Sequence, residues 1–323
     1  MPRTALLQLG PMMSLIERQI EEAFEVHRMH EARDRDALLA SVGPRIEAIA
    51  TNGHFMKADE VLLSKLPKLR IISNFGVGYD SVDTAAAIAR KIIATNTPDV
   101  LNEEVADTAL GLLLMTVREL GKAENYLRAG HWATQGDYRL TPLTLRERKV
   151  GIVGLGRIGK AIARRCEAFG MGVVYYGRSK QAGVTYNYYS DLAAMARDTG
   201  TLIVITPGGA ATRNLIDAKV LAALGPRGVL INVARGTVVD EAALIAALRN
   251  KTIAAAGLDV FWNEPKIDPE LMTLDNLVLL PHVGSGSVYT RDGMGQLVVD
   301  NLKAFLAKKP PLTPVPETPF KSW

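Results

Sequence analysis

Hydrophobic positions in the first hundred residues fall into short runs separated by amphipathic stretches. Ala5–Leu9, Ile46–Thr51, Arg70–Asn74 and Ile92–Thr95 have the apolar character of strands, while Ser14–Met29, Asp59–Leu66 and Ser81–Arg90 space their apolar side chains as helices do. A second series opens near residue 148. Its strand candidates are Lys149–Val153, Gly172–Tyr176, Leu202–Thr206, Val229–Val233, Ala255–Asp259 and Leu277–Leu280. Helices are predicted between them over Arg157–Phe169, Ser190–Arg197, Lys219–Leu224 and Asp240–Arg249. Strands that alternate with helices build βα units, so an α/β fold of doubly wound parallel sheets is expected. Asn102–Leu127 reads as one long helix joining the two series, and Arg291–Lys308 as a last helix. From Pro310 to Pro319 the density of proline rules out a regular helix, and an extended surface segment is expected.

A length of 323 residues exceeds what one hydrophobic core usually organises, so two domains are expected. Lys and Arg exceed Asp and Glu by 38 − 34 = 4, but the cations are scattered, with no run that reads as a nucleic-acid arm. The apolar stretch around Leu110–Thr116 is interrupted by Gly111 and too short to span a bilayer. The lone Cys166 lies in an apolar-periodic segment and reads as a buried thiol, not a nucleophile or metal ligand. The opening MPRTALLQLG does not read as a secretory leader, so a reducing cytoplasm is expected.

The segment VGIVGLGRIG places Gly154, Gly156 and Gly159 in a G-x-G-x-x-G pattern between a predicted strand and a predicted helix. Such glycines permit a tight turn, close approach of a pyrophosphate and close helix–strand packing, and the helix beginning near Arg157 would aim N–H groups at the phosphates. About twenty residues on, a site for NAD ordinarily carries an acid that bonds the ribose 2′-hydroxyl. Here the chain reads Tyr175-Tyr176-Gly177-Arg178-Ser179-Lys180, with no carboxylate before Asp191. Arg178 and Lys180 would attract a 2′-phosphate and Ser179 could donate to it, so NADPH is expected over NADH, with NAD a weaker alternative. The plainer role for these cations is that of solvated loop charges.

Three later strand ends carry chemistry: Asn232-Val233-Ala234-Arg235-Gly236, Asp259 to Pro265, and Leu280 to Ser285. Ligands of open α/β sheets bind outside the carboxyl ends of the strands. Hydride transfer to a ketone needs a hold on the substrate carboxylate, positive charge near the developing alkoxide, and a proton. Arg235 offers a permanently charged fork for the first two. His282 is the natural proton donor. Glu264 beside it would favour the imidazolium, raising its pKa, and fix the ring. Singly, each has a plainer role: a surface pair for Arg235, turn chemistry for Glu264 before Pro265, a loop histidine for His282 after Pro281. Together, on successive strand ends after a dinucleotide fingerprint, they define a catalytic set.

The ordered motifs VGIVGLGRIGKAIARR, LINVARGTVVDEAAL, AGLDVFWNEP and LPHVGSGS, with FGVGYDSVD and NTPDVLNEEVADTALGLLL before them, resemble the D-isomer-specific 2-hydroxyacid dehydrogenases over nearly the whole chain. Within that family the resemblance runs to glyoxylate/hydroxypyruvate reductases, including the plant hydroxyphenylpyruvate reductase type. It implies two Rossmann-like doubly wound parallel-sheet domains with a cleft between them. Residues 1–98 plus 290–323 would form the substrate-binding domain and 99–289 the dinucleotide-binding domain. It implies Arg235, Glu264 and His282 as catalytic residues, with Gly76, Val77 and Gly78 joining Arg235 and His282 around the substrate. Cofactor contacts are implied for Gly154, Leu155, Gly156, Arg157, Ile158, Gly159, Gly177, Arg178, Ser179 and Lys180. Further contacts are implied for Thr206, Pro207, Thr212, Val233, Ala234, Asp259 and Ser285. The reaction implied is NADPH-dependent reduction of small 2-oxo acids such as glyoxylate and hydroxypyruvate to D-2-hydroxy acids. A homodimer is also implied, with Trp132 at a position able to reach a partner subunit.

Asn102 stands where relatives often carry threonine, and the few aromatic residues near the first strands leave Phe55 and Phe75 as candidate pocket walls. Two rival functions share the fold: a phosphoglycerate-type NAD dehydrogenase, and a non-enzymatic, co-repressor-like dinucleotide sensor. The missing acid after the second strand of the second series and the absence of an extra regulatory domain weigh against the first. The complete Arg, Glu and His set weighs against the second.

Overall fold

The computed structural model describes residues 3–53 and 55–323. The chain divides into two compact units, one running up to Leu101 and completed by Ser287–Trp323, the other Asn102–Gly286.

The first unit is built on a parallel sheet of β1 (Ala5–Gln8), β2 (Glu25–Arg28), β3 (Ile46–Thr51), β4 (Ile71–Asn74) and β5 (Ile93–Thr95), in the order β2-β1-β3-β4-β5. Both faces of the inner strands are covered, so β1, β3 and β4 are largely buried and mainly apolar rather than alternating, while the edge strand β2 stays polar. Leu7, Ile49 and Ile72 point to one face, against Leu39, Leu62 and Leu66. Leu6, Ala48 and Ile71 point to the other, against Ile16 and Ile20 of the helix Ser14–Ala23 and Val298, Val299 and Leu302 of the helix Val288–Leu306. Short helices start where aspartates cap them: Asp34 accepts from Ala37 N–H, Asp59 from Leu62 and Asp83 from Ala86.

The second unit holds seven parallel strands: β6 (Lys149–Val153), β7 (Gly172–Tyr176), β8 (Asn187–Tyr189), β9 (Thr201–Val204), β10 (Val229–Asn232), β11 (Ala255–Leu258) and β12 (Leu277–Leu279). Their order is β12-β11-β10-β9-β6-β7-β8. The order reverses between β6 and β9, the position at whose carboxyl ends ligands of open α/β sheets bind. Both units are therefore the doubly wound parallel-sheet type that the hydrophobic pattern predicts.

Besides the helices Arg35–Val42 and His131–Gln135, which the hydrophobic pattern does not announce, three elements differ from expectation. The helix expected over Ser14–Met29 stops at Ala23; Phe24 turns extended and Glu25–Arg28 pairs with β1 as the edge strand. The helix expected over Asn102–Leu127 breaks into Asn102–Arg118 and Leu120–Arg128. The break lies at Glu119, whose φ of 51° is left-handed. Its carboxylate there accepts from Tyr138 Oη at 3.0 Å and pairs with Arg139 at 2.6 Å, contacts remote in sequence that offset the backbone cost. The third difference is β8, a short strand beside β7 that the hydrophobic pattern does not reveal. Among the described residues no helix is long and apolar enough to cross a membrane, and no cluster of His, Cys, Asp and Glu could hold a metal ion.

Candidate active site

The glycine turn after β6 has the geometry its sequence requires. Gly154 adopts φ 102°, a conformation that disfavours side chains. A Cβ on Gly159 would lie 2.3 Å from the carbonyl oxygen of Gly154, so helix Arg157–Ala168 can press on the turn only because that side chain is missing. At Gly156, by contrast, a Cβ would meet no atom within 4 Å. The turn is closed on the protein side and open where a pyrophosphate would approach, with the helix start behind it. The residues present thus fit a dinucleotide.

The remaining sequence-assigned cofactor residues all lie at carboxyl ends of this sheet. Leu155, Arg157 and Ile158 belong to the glycine turn and the first turn of its helix. Gly177, Arg178, Ser179 and Lys180 follow β7, the last three exposed. Thr206 and Pro207 follow β9, and Thr212 Oγ1 donates to the Pro207 carbonyl at 2.7 Å. Val233 and Ala234, both buried, follow β10; Asp259 follows β11; Ser285 lies in the loop after β12.

Arg235, Glu264 and His282 follow the neighbouring strands β10, β11 and β12. An Asx turn shapes the first loop: Asn232 Oδ1 accepts from Ala234 N–H at 3.0 Å, and Asn232 Nδ2 donates to the Arg235 carbonyl at 3.1 Å. Gly236 then packs directly on the next loop. A Cβ there would stand 1.9 Å from the carbonyl carbon of Phe261, so only glycine lets the Arg235 loop touch the Glu264 loop. Glu264 spans to the third loop, with Oε1 accepting Phe261 N–H at 2.8 Å and Oε2 2.6 Å from His282 Nδ1. The side chains of His282 and Glu264 are 32 % and 26 % exposed, so the imidazole is reachable while its partner anchors it.

Asp259 ties the same loops from beneath. It is 2 % exposed, and its two oxygens accept Val283 N–H at 2.7 Å and Gly284 N–H at 2.8 Å. Burial pushes its carboxyl above the usual carboxylate range, opposed by those two N–H bonds. Cys166, buried in the glycine-loop helix, has its thiol pushed up to about 12 by burial and takes no part as a nucleophile.

Gly76, Val77 and Gly78 belong to the other unit, in the turn after β4. Side chains absent from the sequence assignment tie its carbonyls: Asn74 Nδ2 donates to Gly78 O at 3.0 Å and Asn96 Nδ2 to Val77 O at 2.8 Å. Gly76 N–H and its carbonyl are both taken by Thr97, at 3.0 Å each. The carbonyls of the turn and the Gly76 N–H are thus committed within this unit, which fixes the backbone shape at Val77 and Gly78. Gln181 was missed too; its Nε2 donates to the Leu155 carbonyl at 2.7 Å, inside the glycine turn. Its only sequence signal is its position next to the cations after β7.

A dinucleotide turn followed by an arginine, a glutamate and a histidine on adjacent strand ends of one parallel sheet defines a nicotinamide-type oxidoreductase. Residues 110–284 match the family profile described as D-isomer specific 2-hydroxyacid dehydrogenase, NAD binding domain. The chain belongs to the D-isomer-specific 2-hydroxyacid dehydrogenases. It is 44 % identical over 315 residues to the glyoxylate/hydroxypyruvate reductase A of Arabidopsis thaliana, covering 98 % of this chain and 100 % of that one. Hydroxyphenylpyruvate reductase of Plectranthus scutellarioides is 42 % identical over 98 % of this chain and 100 % of its own length. Among solved structures, the NADPH-dependent glyoxylate/hydroxypyruvate reductase of Sinorhizobium meliloti in complex with NADP and malonate superposes with a TM-score of 0.95. It is 50 % identical, with 99 % of each chain covered.

Proposed function

We propose that this protein is an NADPH-dependent reductase of small 2-oxo acids, glyoxylate and hydroxypyruvate foremost, producing D-2-hydroxy acids. The observation that carries the reading is the 2.6 Å pair of His282 and Glu264 on the strand ends beside Arg235, in the sheet that also bears the glycine turn.

Bound NADPH supplies hydride to the carbonyl carbon. Gly154, Leu155, Gly156 and the start of helix Arg157–Ala168 would hold its pyrophosphate, and Arg178, Ser179 and Lys180 its 2′-phosphate. Arg235 pairs with the substrate carboxylate and stabilises negative charge growing on the carbonyl oxygen. The N–H groups of Val77 and Gly78, in the turn after β4, are assigned as second receivers of the carboxylate. His282, held through Nδ1 by Glu264, delivers a proton from Nε2 to that oxygen, so C=O becomes CH–OH and the histidine leaves the step neutral. Glu264 orients the ring by its bond to Nδ1. Asp259 keeps the histidine loop in place.

The assembly we assign is a homodimer in the cytoplasm. The helices Leu120–Arg128 and His131–Gln135 bury none of their own residues and expose Leu120, Leu127 and Trp132, which supports self-association; the single buried thiol suits a reducing compartment. Following nicotinamide absorbance with glyoxylate, hydroxypyruvate and pyruvate at fixed NADPH tests the function. Rapid oxidation with the first two is expected, and none with any of the three would refute it. Sedimentation tests the dimer.

A further inference from the structure

We propose that Gln181 and Tyr188 set the preference for a 2′-phosphorylated dinucleotide by fixing the spacing between the cation loop after β7 and the glycine turn. This inference rests on the NADPH reading above. Arg178, Ser179 and Lys180 are exposed, and none of their side chains has a hydrogen bond or ion pair among the described residues. The two cationic heads and the serine hydroxyl are therefore located only by the backbone that carries them.

That backbone is tied at three points. Tyr188 Oη donates to the Gly177 carbonyl at 3.2 Å, before the cations. Gln181 N–H donates to Tyr175 Oη at 2.8 Å, just after them. Gln181 Nε2 then reaches the Leu155 carbonyl at 2.7 Å, between Gly154 and Gly156. The two tyrosine rings support each other, with centroids 5.4 Å apart. Tyr188 lies at the middle of β8, opposite Tyr175 in the register, so this short added strand brings its hydroxyl to the start of the cation loop.

The pyrophosphate and the 2′-phosphate of one dinucleotide are joined through a ribose, a short covalent frame with little freedom. A protein gains from both phosphates at once only if its two receiving loops are already held at the matching separation. The Gln181–Leu155 bond connects those two loops directly. A ligand without the 2′-phosphate uses the glycine turn alone and is indifferent to where the cation loop stands.

The test uses 2′,5′-ADP and 5′-AMP as probes, titrated calorimetrically into the full-length wild type, Gln181→Leu and Tyr188→Phe. Neither probe contains nicotinamide, so the readout is independent of turnover. The wild type is expected to bind 2′,5′-ADP more tightly than 5′-AMP. Gln181→Leu should weaken 2′,5′-ADP by about 3- to 10-fold, the range of one lost hydrogen bond, and leave 5′-AMP within about twofold. Tyr188→Phe removes one oxygen from an intact ring and should act in the same direction. Equal weakening of both probes, or no change in either, overturns the inference. A wild type that does not distinguish the probes overturns the NADPH reading instead, and the inference falls with it.

Discussion

His282 Nδ1 stands 2.6 Å from Glu264 Oε2, while the other oxygen of that carboxylate takes Phe261 N–H at 2.8 Å. The backbone bond keeps the carboxylate from turning, and the carboxylate keeps the ring from turning. Glu264→Gln would retain an acceptor for Phe261 but place a neutral amide against the imidazole. Reductive turnover with glyoxylate is expected to fall by about 10- to 100-fold, since a charge-assisted bond is lost at the proton donor. NADPH affinity should stay unchanged. Wild-type turnover would assign the pair to loop structure alone.

His282→Asn and Arg235→Ala should each reduce turnover by at least ~10²-fold, the scale of a lost acid or a lost charge at the reacting oxygen. Both side chains lie at loop positions after strands, so melting temperatures should remain near that of the wild type. Initial rates with glyoxylate and a thermal melt on each variant check this. Near-normal rates in both variants would remove the proposed roles.

Asp259 has a structural charge on its loop that its sequence position does not announce. Asp259→Ala would strip acceptors from two adjacent backbone donors, Val283 and Gly284, the second of them buried. An unpaired buried donor costs about 1–3 kcal/mol, so chemical denaturation should show a loss of that order or greater. Turnover should fall as well, because the same loop carries His282. Stability equal to the wild type would show that the two N–H groups find other partners.

Replacing Arg178 by Asp puts a carboxylate where a 2′-phosphate would bind. The ratio of kcat/KM for NADPH over NADH should drop by at least ~10-fold through repulsion and loss of the guanidinium together. The ratio is the quantity to measure, because it cancels any general loss of activity. An unchanged ratio would place the 2′-phosphate elsewhere.

Burial pushes the Cys166 thiol up to about 12, above the ~8.5 of an exposed thiol. The folded protein therefore keeps this proton where the unfolded chain loses it. Stability from this group is complete below the unfolded value and declines as pH rises from there toward 12. At pH 8, iodoacetamide should label the native protein slowly and the urea-unfolded protein readily. Native labelling as fast as that of the unfolded chain would contradict the burial.

Most of this architecture could be read from residue patterns, and the exceptions share a cause. The strands β3 and β6 match their expected bounds because they are almost wholly buried, and β7 because its valines and tyrosines lie between glycines. Glu25–Arg28 reads as helix because Ile16, Ile20 and Phe24 continue a helical spacing; what makes it a strand is the open edge of β1. Asn187–Tyr189 is short and polar at its start, and again its partner strand decides. The break at Glu119 depends on Tyr138 and Arg139, some twenty positions away. Within the site, residues with charge or a required glycine were legible. Asn74, Asn96 and Gln181 act by donating side-chain hydrogen bonds to carbonyls, and an amide in a loop carries no pattern that separates a tether from a solvated side chain.

The first unit is written in two pieces of sequence, and this has a consequence for biosynthesis. Val298, Val299 and Leu302 close one face of its sheet, and Val315 N–H bonds back to Ala94 O at 2.9 Å. A nascent chain thus emerges with its opening hundred residues half-clad and must carry them so through synthesis of the whole nucleotide unit, until the helix Val288–Leu306 that follows it leaves the ribosome. Premature termination near Gly286 would release a finished second unit attached to an exposed apolar sheet, a product suited to chaperone capture and proteolysis.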